Sequence, residues 1–235
     1  MTTQTLDNSR HYATLISTMR KKLIRFNENA AKEIILEEGK ALFGETKGEW
    51  SSVFGNENDL ILEFGCGRGE YTVGLAEQFP DRNYIGMDLK GERIWYGANY
   101  ADEQGLENVR FLRMRGERME DHIGVGELSE IWLPFPGPRP KKSEANRRLT
   151  HPNFLERYKK LLKPGGFVHL KTDSEFGYSY SLQMLSERGD IEILAQTDDL
   201  YASEYLADHH GVQTHFEKKF LKEGKKIYYL KWRFR

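Results

Sequence analysis

Directly after the apolar run Leu60-Ile61-Leu62-Glu63-Phe64, the chain continues Gly65-Cys66-Gly67-Arg68-Gly69. Glycines at alternate positions let a backbone turn sharply and approach a ligand closely, with the N–H groups of a following helix beyond. The spacing is G-x-G-x-G, not the G-x-G-x-x-G of dinucleotide binders. Asp88 ends the next apolar run, a place from which a carboxylate accepts both hydroxyls of a ribose. Glu63, just ahead of the loop, would repel a pyrophosphate and attract a cation. The set therefore fits a positively charged ligand that carries a ribose. Cys66 is the only cysteine, which excludes an intrachain disulfide framework and a cysteine-based zinc site. Within the loop it reads as a small residue, since no neighbour supports a covalent mechanism. His151 and His169 read as structural, because no metal-ligand spacing accompanies them; no metal is expected.

These groups need a scaffold. Tyr71–Phe79, Glu92–Gln104, Asn153–Leu162 and Ser174–Arg188 carry helical periodicity. Leu60–Phe64, Asn83–Met87, Val109–Met114, Glu130–Leu133, Phe167–Lys171, Ile191–Ala195 and Lys226–Phe234 read as strands. Ala30–Phe43 reads as a helix ended by Gly44, and Lys163-Pro164-Gly165-Gly166 as a turn. Strands alternating with helices predict an α/β fold: a mostly parallel sheet of about seven strands with helices on both faces. In such sheets ligands sit beyond the carboxyl ends of the strands, where strand order reverses. Glu63, Asp88, Arg115, the 134–148 loop and Asp173 all fall at those ends. Residues 1–28 read as a flexible or loosely docked arm, and 29–235 as one domain.

The 235 residues carry a formal charge of −1, but the charge is segregated. Residues 138–163 hold nine basic against two acidic residues, and 215–235 hold eight against two. Such clustering creates a field that attracts a polyanion although the whole chain is near neutral. No stretch is long and apolar enough to span a membrane, and the first residues lack the apolar run of a secretory signal. The expectation is a cytoplasmic protein, a monomer or homodimer, whose Lys-rich C-terminal strand discourages pairing at a sheet edge.

The glycine loop with its two carboxylates, together with Leu162-Lys163-Pro164-Gly165-Gly166 ahead of a strand, resembles the Rossmann-like class I S-adenosyl-L-methionine-dependent methyltransferases. Three further motifs are more specific: Trp132-Leu133-Pro134-Phe135-Pro136-Gly137-Pro138-Arg139-Pro140-Lys141-Lys142 followed by Arg147-Arg148-Leu149-Thr150; Lys171-Thr172-Asp173; and Thr214-His215-Phe216-Glu217. In this order they resemble the bacterial tRNA (guanine-N7)-methyltransferases. The resemblance implies methylation of N7 of guanine-46 in the tRNA variable loop, with S-adenosyl-L-methionine held by Glu63, Gly65, Gly67, Asp88 and the Arg115 position. It implies substrate contacts from Lys141, Asp173, Thr214, His215, Phe216 and Glu217. Two positions depart from the family pattern. Arg115 stands where the family has an aspartate near the adenine, with Glu117 two residues on. Gly137 replaces the aspartate taken as catalytic, a role Asp173 would share. Guanine N7 needs no general base, so the expectation is a lowered rate, not a lost one. Lys141, Lys142, Arg147 and Arg148 would meet phosphates, and Phe135, Tyr178 and Tyr180 would stack on an unstacked base. The competing expectations are a non-catalytic tRNA- or cofactor-binding homologue and a methyltransferase for another RNA or a small molecule.

Overall fold

The computed structural model describes residues 19, 20 and 22–235. Residues 22–31 form helix α1. There follow β1 (Ile35–Leu36), α2 (Trp50–Phe54), β2 (Asp59–Phe64), α3 (Glu70–Gln78), β3 (Arg82–Asp88), α4 (Gly91–Gln104), β4 (Val109–Arg113) and β5 (Leu128–Pro134). The second half comprises α5 (Pro152–Leu161), β6 (Leu162–Thr172), α6 (Glu175–Ser186), β7 (Ile191–Thr197), α7 (His215–Lys222) and β8 (Tyr228–Phe234).

Among the described residues the sheet runs β1-β4-β3-β2-β5-β6-β8-β7. All pairings are parallel except those of β8, which is antiparallel to both β6 and β7. Strand order reverses between β2 and β5, so a crevice opens beyond their carboxyl ends. Both faces of the sheet are covered, and side chains alternate between them. Leu60, Leu62, Ile131, Leu133 and Trp232 join one core; Ile61, Trp132 and Tyr229 join the other.

Local chemistry places the helix ends. His151 accepts a hydrogen bond at Nδ1 from the Asn153 N–H (3.2 Å) and Pro152 opens α5, which buries Phe154, Leu155, Tyr158 and Leu161. Ser174 and Thr214 cap α6 and α7 in the same way. Gly105 closes α4 in the left-handed conformation, at φ 66°.

Several elements differ from expectation. The helix expected over residues 30–43 ends at 31, and Ile35 and Leu36 instead pair with Phe111 and Leu112 as an edge strand. Burial of both side chains in the sheet outweighs a helical spacing. The expected turn at 163–166 is absorbed into β6, with Gly165 at φ 81° and a register shift against β5 between Leu128 and Glu130. The C-terminal strand is internal, between β6 and β7, and the edges are β1 and β7. Helices α2 and α7 add to those read from periodicity. The expected arm falls largely on residues 1–18 and 21, which lie outside the described residues. Residues 22–28 belong to α1, where the Arg25 guanidinium covers the rings of Trp95 and Tyr96 (5.0 and 4.6 Å), and Glu28 accepts from the Trp95 indole N–H (2.5 Å). No helix among the described residues is long and apolar enough to cross a membrane.

The glycine loop rests on α4 through a glycine contact. A β-carbon on Gly97 would stand 2.7 Å from the Phe111 ring and 2.8 Å from the Arg68 carbonyl oxygen, while one on Gly69 would press the same ring at 2.7 Å. With ring and backbone confined on both sides, Gly97→Ala should destabilise the fold by about 1–3 kcal/mol. Thermal or urea unfolding of the variant against the parent measures this.

Candidate active site

The crevice is built from the glycine loop outward. Gly65, Gly67 and Gly69 lie at φ 75°, 58° and 72°, the left-handed region that other residues avoid. The N–H groups of Gly65 and Cys66 donate to the Met87 carbonyl at 2.7 and 3.0 Å. Asp88 completes the tether: one carboxylate oxygen accepts from the Gly67 N–H (3.1 Å), the other from the Lys90 N–H (2.8 Å). The end of β3 therefore holds the loop and the start of α4 together. Cys66 is buried beneath the loop, and burial, reinforced by Glu63, pushes its thiol well above the ordinary range. It is no nucleophile at neutral pH.

Glu63 lies at the floor of an open cleft of about 680 Å³ and is 4% exposed. One of its oxygens accepts from both the N–H of Thr72 (2.8 Å) and the Thr72 hydroxyl. Among the described residues no basic side chain pairs with it within 4 Å. Lys171 instead ion-pairs with Glu217, at 3.0 and 3.3 Å. Burial accordingly pushes the Glu63 carboxyl up to about 8, against the opposing hydrogen bonds from Thr72. Glu70, Asp88 and Glu92 line the same cleft, alongside Arg25, Arg68, Arg93 and Arg139. A cation entering it would displace the proton that burial leaves on Glu63 at neutral pH and pair with a carboxylate that no basic side chain among the described residues engages.

A second cavity, about 480 Å³, adjoins the first and shares Gly65, Asp88 and Arg139 with it. Phe64, Met87, Leu89, Met114, Leu149 and Phe154 give it apolar walls, and Arg115 and Glu117 both line it. Gly116 is required there, since a β-carbon would stand 1.9 Å from the Phe64 ring. An apolar slot next to a strand-end carboxylate suits a flat heterocycle with its ribose at Asp88.

The remaining expected site residues divide. Gly137, Thr214, His215 and Phe216 line the larger cleft with Glu63, Gly65, Gly67 and Asp88. Phe216 is 53% exposed at its rim. The His215 N–H donates to Glu70 (2.7 Å), which fixes the start of α7 to α3. Lys141, Asp173 and Glu217 do not line either cavity. Lys141 is exposed ahead of the 3-10 turn Lys142–Arg147. Asp173 pairs with Lys225 at 2.8 Å, so it is engaged outside the cleft. Glu217 is fully buried and also accepts from the Tyr201 hydroxyl at 3.2 Å, with His209 Nε2 at 3.0 Å. Three residues beyond the cap Thr214, it faces the sheet while Phe216 faces out, so it holds the motif in place from behind. Of the expected stacking aromatics, Phe135 lines the cleft, whereas Tyr178 packs on Tyr228. Sequence reasoning passed over Lys171, whose signal was a lone cation in a run of apolar strand residues. It also passed over Arg25, for which a polar N-terminal stretch carries no signal.

A family profile described as "Putative methyltransferase" matches residues 57–230. A tRNA (guanine-N(7)-)-methyltransferase of Cytophaga hutchinsonii is 43% identical over 216 residues, 92% of this chain and 98% of the relative. The chain belongs to the bacterial tRNA (guanine-N7)-methyltransferase family. Relatives of the same name from Christiangramia forsetii (44% identical; 91% of this chain, 98% of the relative) and Bacteroides thetaiotaomicron (46%; 80% and 73%) agree. Among solved structures, the 16S rRNA methyltransferase KamB shares the fold at a TM-score of 0.60 and 14% identity, covering 78% of this chain and 91% of that one. The fold is thus the class I methyltransferase fold, with eight strands among the described residues in place of the expected seven or so; the edge strand β1 is an addition the family resemblance did not predict.

The Glu63 environment has a thermodynamic signature. A carboxyl raised from 4.5 to about 8 in the folded state binds a proton that the unfolded chain has released. Its contribution to stability is complete below about pH 4.5 and is lost as pH rises toward 8 and beyond. Glu63→Gln should remove that decline while keeping an acceptor for Thr72. Urea midpoints of the ligand-free protein between pH 5 and pH 9 test it: parallel profiles for parent and variant would contradict the assignment.

Proposed function

We propose that this chain transfers a methyl group from S-adenosyl-L-methionine to N7 of a guanine in tRNA, the variable-loop guanine at position 46, in the cytoplasm. The observation that carries the reading is Glu63: a buried carboxyl that no basic side chain among the described residues pairs with, at the floor of a cleft whose other walls are the glycine loop and the loop bearing Gly137. The residues present fit the donor. The apolar cavity of Met87, Leu89 and Met114 would take the adenine, Asp88 the ribose hydroxyls, and Glu63 with its acidic neighbours the cationic portion. Bound there, S-adenosyl-L-methionine supplies an electrophilic methyl group on a positively charged sulfur.

The protein's tasks are then alignment and electrostatics. N7 of guanine has a free lone pair at neutral pH, so no residue has to remove a proton. Holding the purine edge in line with the methyl group is worth an effective molarity of roughly 10⁵ M or more. Phe216 on the rim offers a ring face to an unstacked base, and Phe135 stands inside the same cleft. Methylation leaves a cationic purine, which the carboxylates lining the cleft favour. The exposed Lys141, Lys142 and Arg147 would neutralise flanking phosphates, contacts that position RNA without reading its sequence.

Gly137 stands where an aspartate is expected, and the site has room for one. A β-carbon there meets nothing within 4 Å, and the residue is not among those with a positive φ. The parent enzyme should label unmodified tRNA from methyl-labelled donor, with aniline cleavage marking N7 of the variable-loop guanine. Gly137→Asp should raise the single-turnover rate by roughly ten- to hundredfold through charge placed beside the developing cation. A parent that binds donor and tRNA yet transfers no methyl group would refute the proposal.

A further inference from the structure

The segment from Phe135 to Thr150 crosses the mouth of the crevice without a strand or α-helix of its own, and it carries Gly137 and Arg139 to the cleft wall. Two of its residues, Phe135 (φ 52°) and Arg139 (φ 46°), hold left-handed backbone that non-glycine residues rarely adopt. Such conformations persist only where surrounding contacts impose them. The first is pinned by its N–H, which donates to the Lys171 carbonyl at 2.7 Å. The second is pinned by Arg148. Its Nε donates to the Arg139 carbonyl at 3.0 Å and its Nη2 to the Pro140 carbonyl at 3.3 Å.

The Arg148 guanidinium is itself held from the other side. It lies 4.9 Å from the ring centroid of Phe176 and 4.4 Å from that of Tyr180, two α6 side chains stacked at 17°. A Thr150–Ser181 hydroxyl contact of 2.8 Å joins the end of the segment to the same helix. Unlike Arg139, which pairs with Glu144 at 3.2 Å, Arg148 has no carboxylate partner among the described residues. Its planar fork bridges carbonyl oxygens to aromatic faces, a combination that lysine cannot reproduce.

We propose that Arg148 is a positioning residue that clamps the Gly137–Pro140 loop to α6 and thereby sets the wall of the methyl-transfer cleft, and that it is not one of the cations contacting tRNA phosphates. The proposal rests on the functional reading above only for its consequence in catalysis; the clamp itself is a property of the protein alone.

Two variants separate the roles: Arg148→Lys keeps the charge and loses the fork, and Arg148→Met loses both. Each should speed amide hydrogen exchange in residues 137–147 at least tenfold while exchange in the sheet is unchanged, which also reports that the variant is folded. Each should lower single-turnover methyl transfer at saturating tRNA by about ten- to hundredfold, the cost of a misplaced wall, with tRNA affinity within twofold of the parent. Tyr180→Leu, which removes part of the platform, should show the same pattern in milder form. The slope of log affinity against log salt should stay at the parent value in both Arg148 variants, whereas Lys142→Met should reduce it by roughly 0.7–0.9. Unchanged exchange in residues 137–147 overturns the clamp whether or not the enzyme turns over. Rescue of the rate by Arg148→Lys together with a reduced salt slope in Arg148→Met assigns the residue to phosphate instead. A parent without methyl transfer, but with the exchange result intact, sinks the functional reading and leaves the clamp standing.

Discussion

The site depends on one buried ion pair. Lys171 and Glu217 are both fully buried, and their charged groups meet at 3.0 Å with the Lys171 ammonium also 4.2 Å from the centroid of the Tyr71 ring. Burial lowers the lysine's pKa against the pull of Glu217; burial would raise the carboxyl of Glu217, yet His209 and Lys171 together hold it below its ordinary range. Removing one partner from such a pair leaves a buried charge uncompensated, typically at a cost of about 3–5 kcal/mol. The pair does two things for the crevice. It locks α7 onto β6, which carries Thr214, His215 and Phe216 to the rim. It also commits Lys171, a buried cation near Glu63, to a different carboxylate, which on the proposed function leaves Glu63 to the cationic donor.

The rest of the crevice follows from sheet topology. Reversal of strand order between β2 and β5 leaves a gap above their carboxyl ends, where strand-end groups such as Glu63 and Asp88 meet side chains from α1, α4 and α7. The glycine loop closes one side because Asp88, one strand over, accepts its Gly67 N–H. The other side is the segment after β5, which has no ladder of its own and is fastened through Lys171 and Arg148. On the proposed function, the acidic floor would hold the cation and the arginine-bearing walls would approach the polyanion within one small volume.

Much of this was legible in the chain. Glu63, the three glycines and Asp88 announce themselves because turn conformation and strand termination are set by near neighbours, and the strands of the parallel sheet are near-continuous apolar runs. His151 next to Pro152 is a helix start that a local rule explains. What misled the sequence reading was of another kind. Ile34, Ile35 and Leu36 suit a helix or a strand, and only pairing with β4 decides between them. Gly165 signals a turn, yet it serves as an irregularity inside β6. Thr214–Glu217 reads as four substrate-facing residues, but helical geometry turns the last of them to the core.

By itself the sequence determined the order of motifs that marks the family, and it carried the expectation of a cationic, ribose-bearing ligand, since both reside in contiguous residues. Tertiary structure alone decided which of those motif residues reach the cleft. Lys171 and Glu217 lie 46 residues apart, Asp173 and Lys225 lie 52 apart, and Glu28 finds Trp95 across 67. Partners at such separations are chosen by the packing of whole elements, and no local pattern encodes that choice.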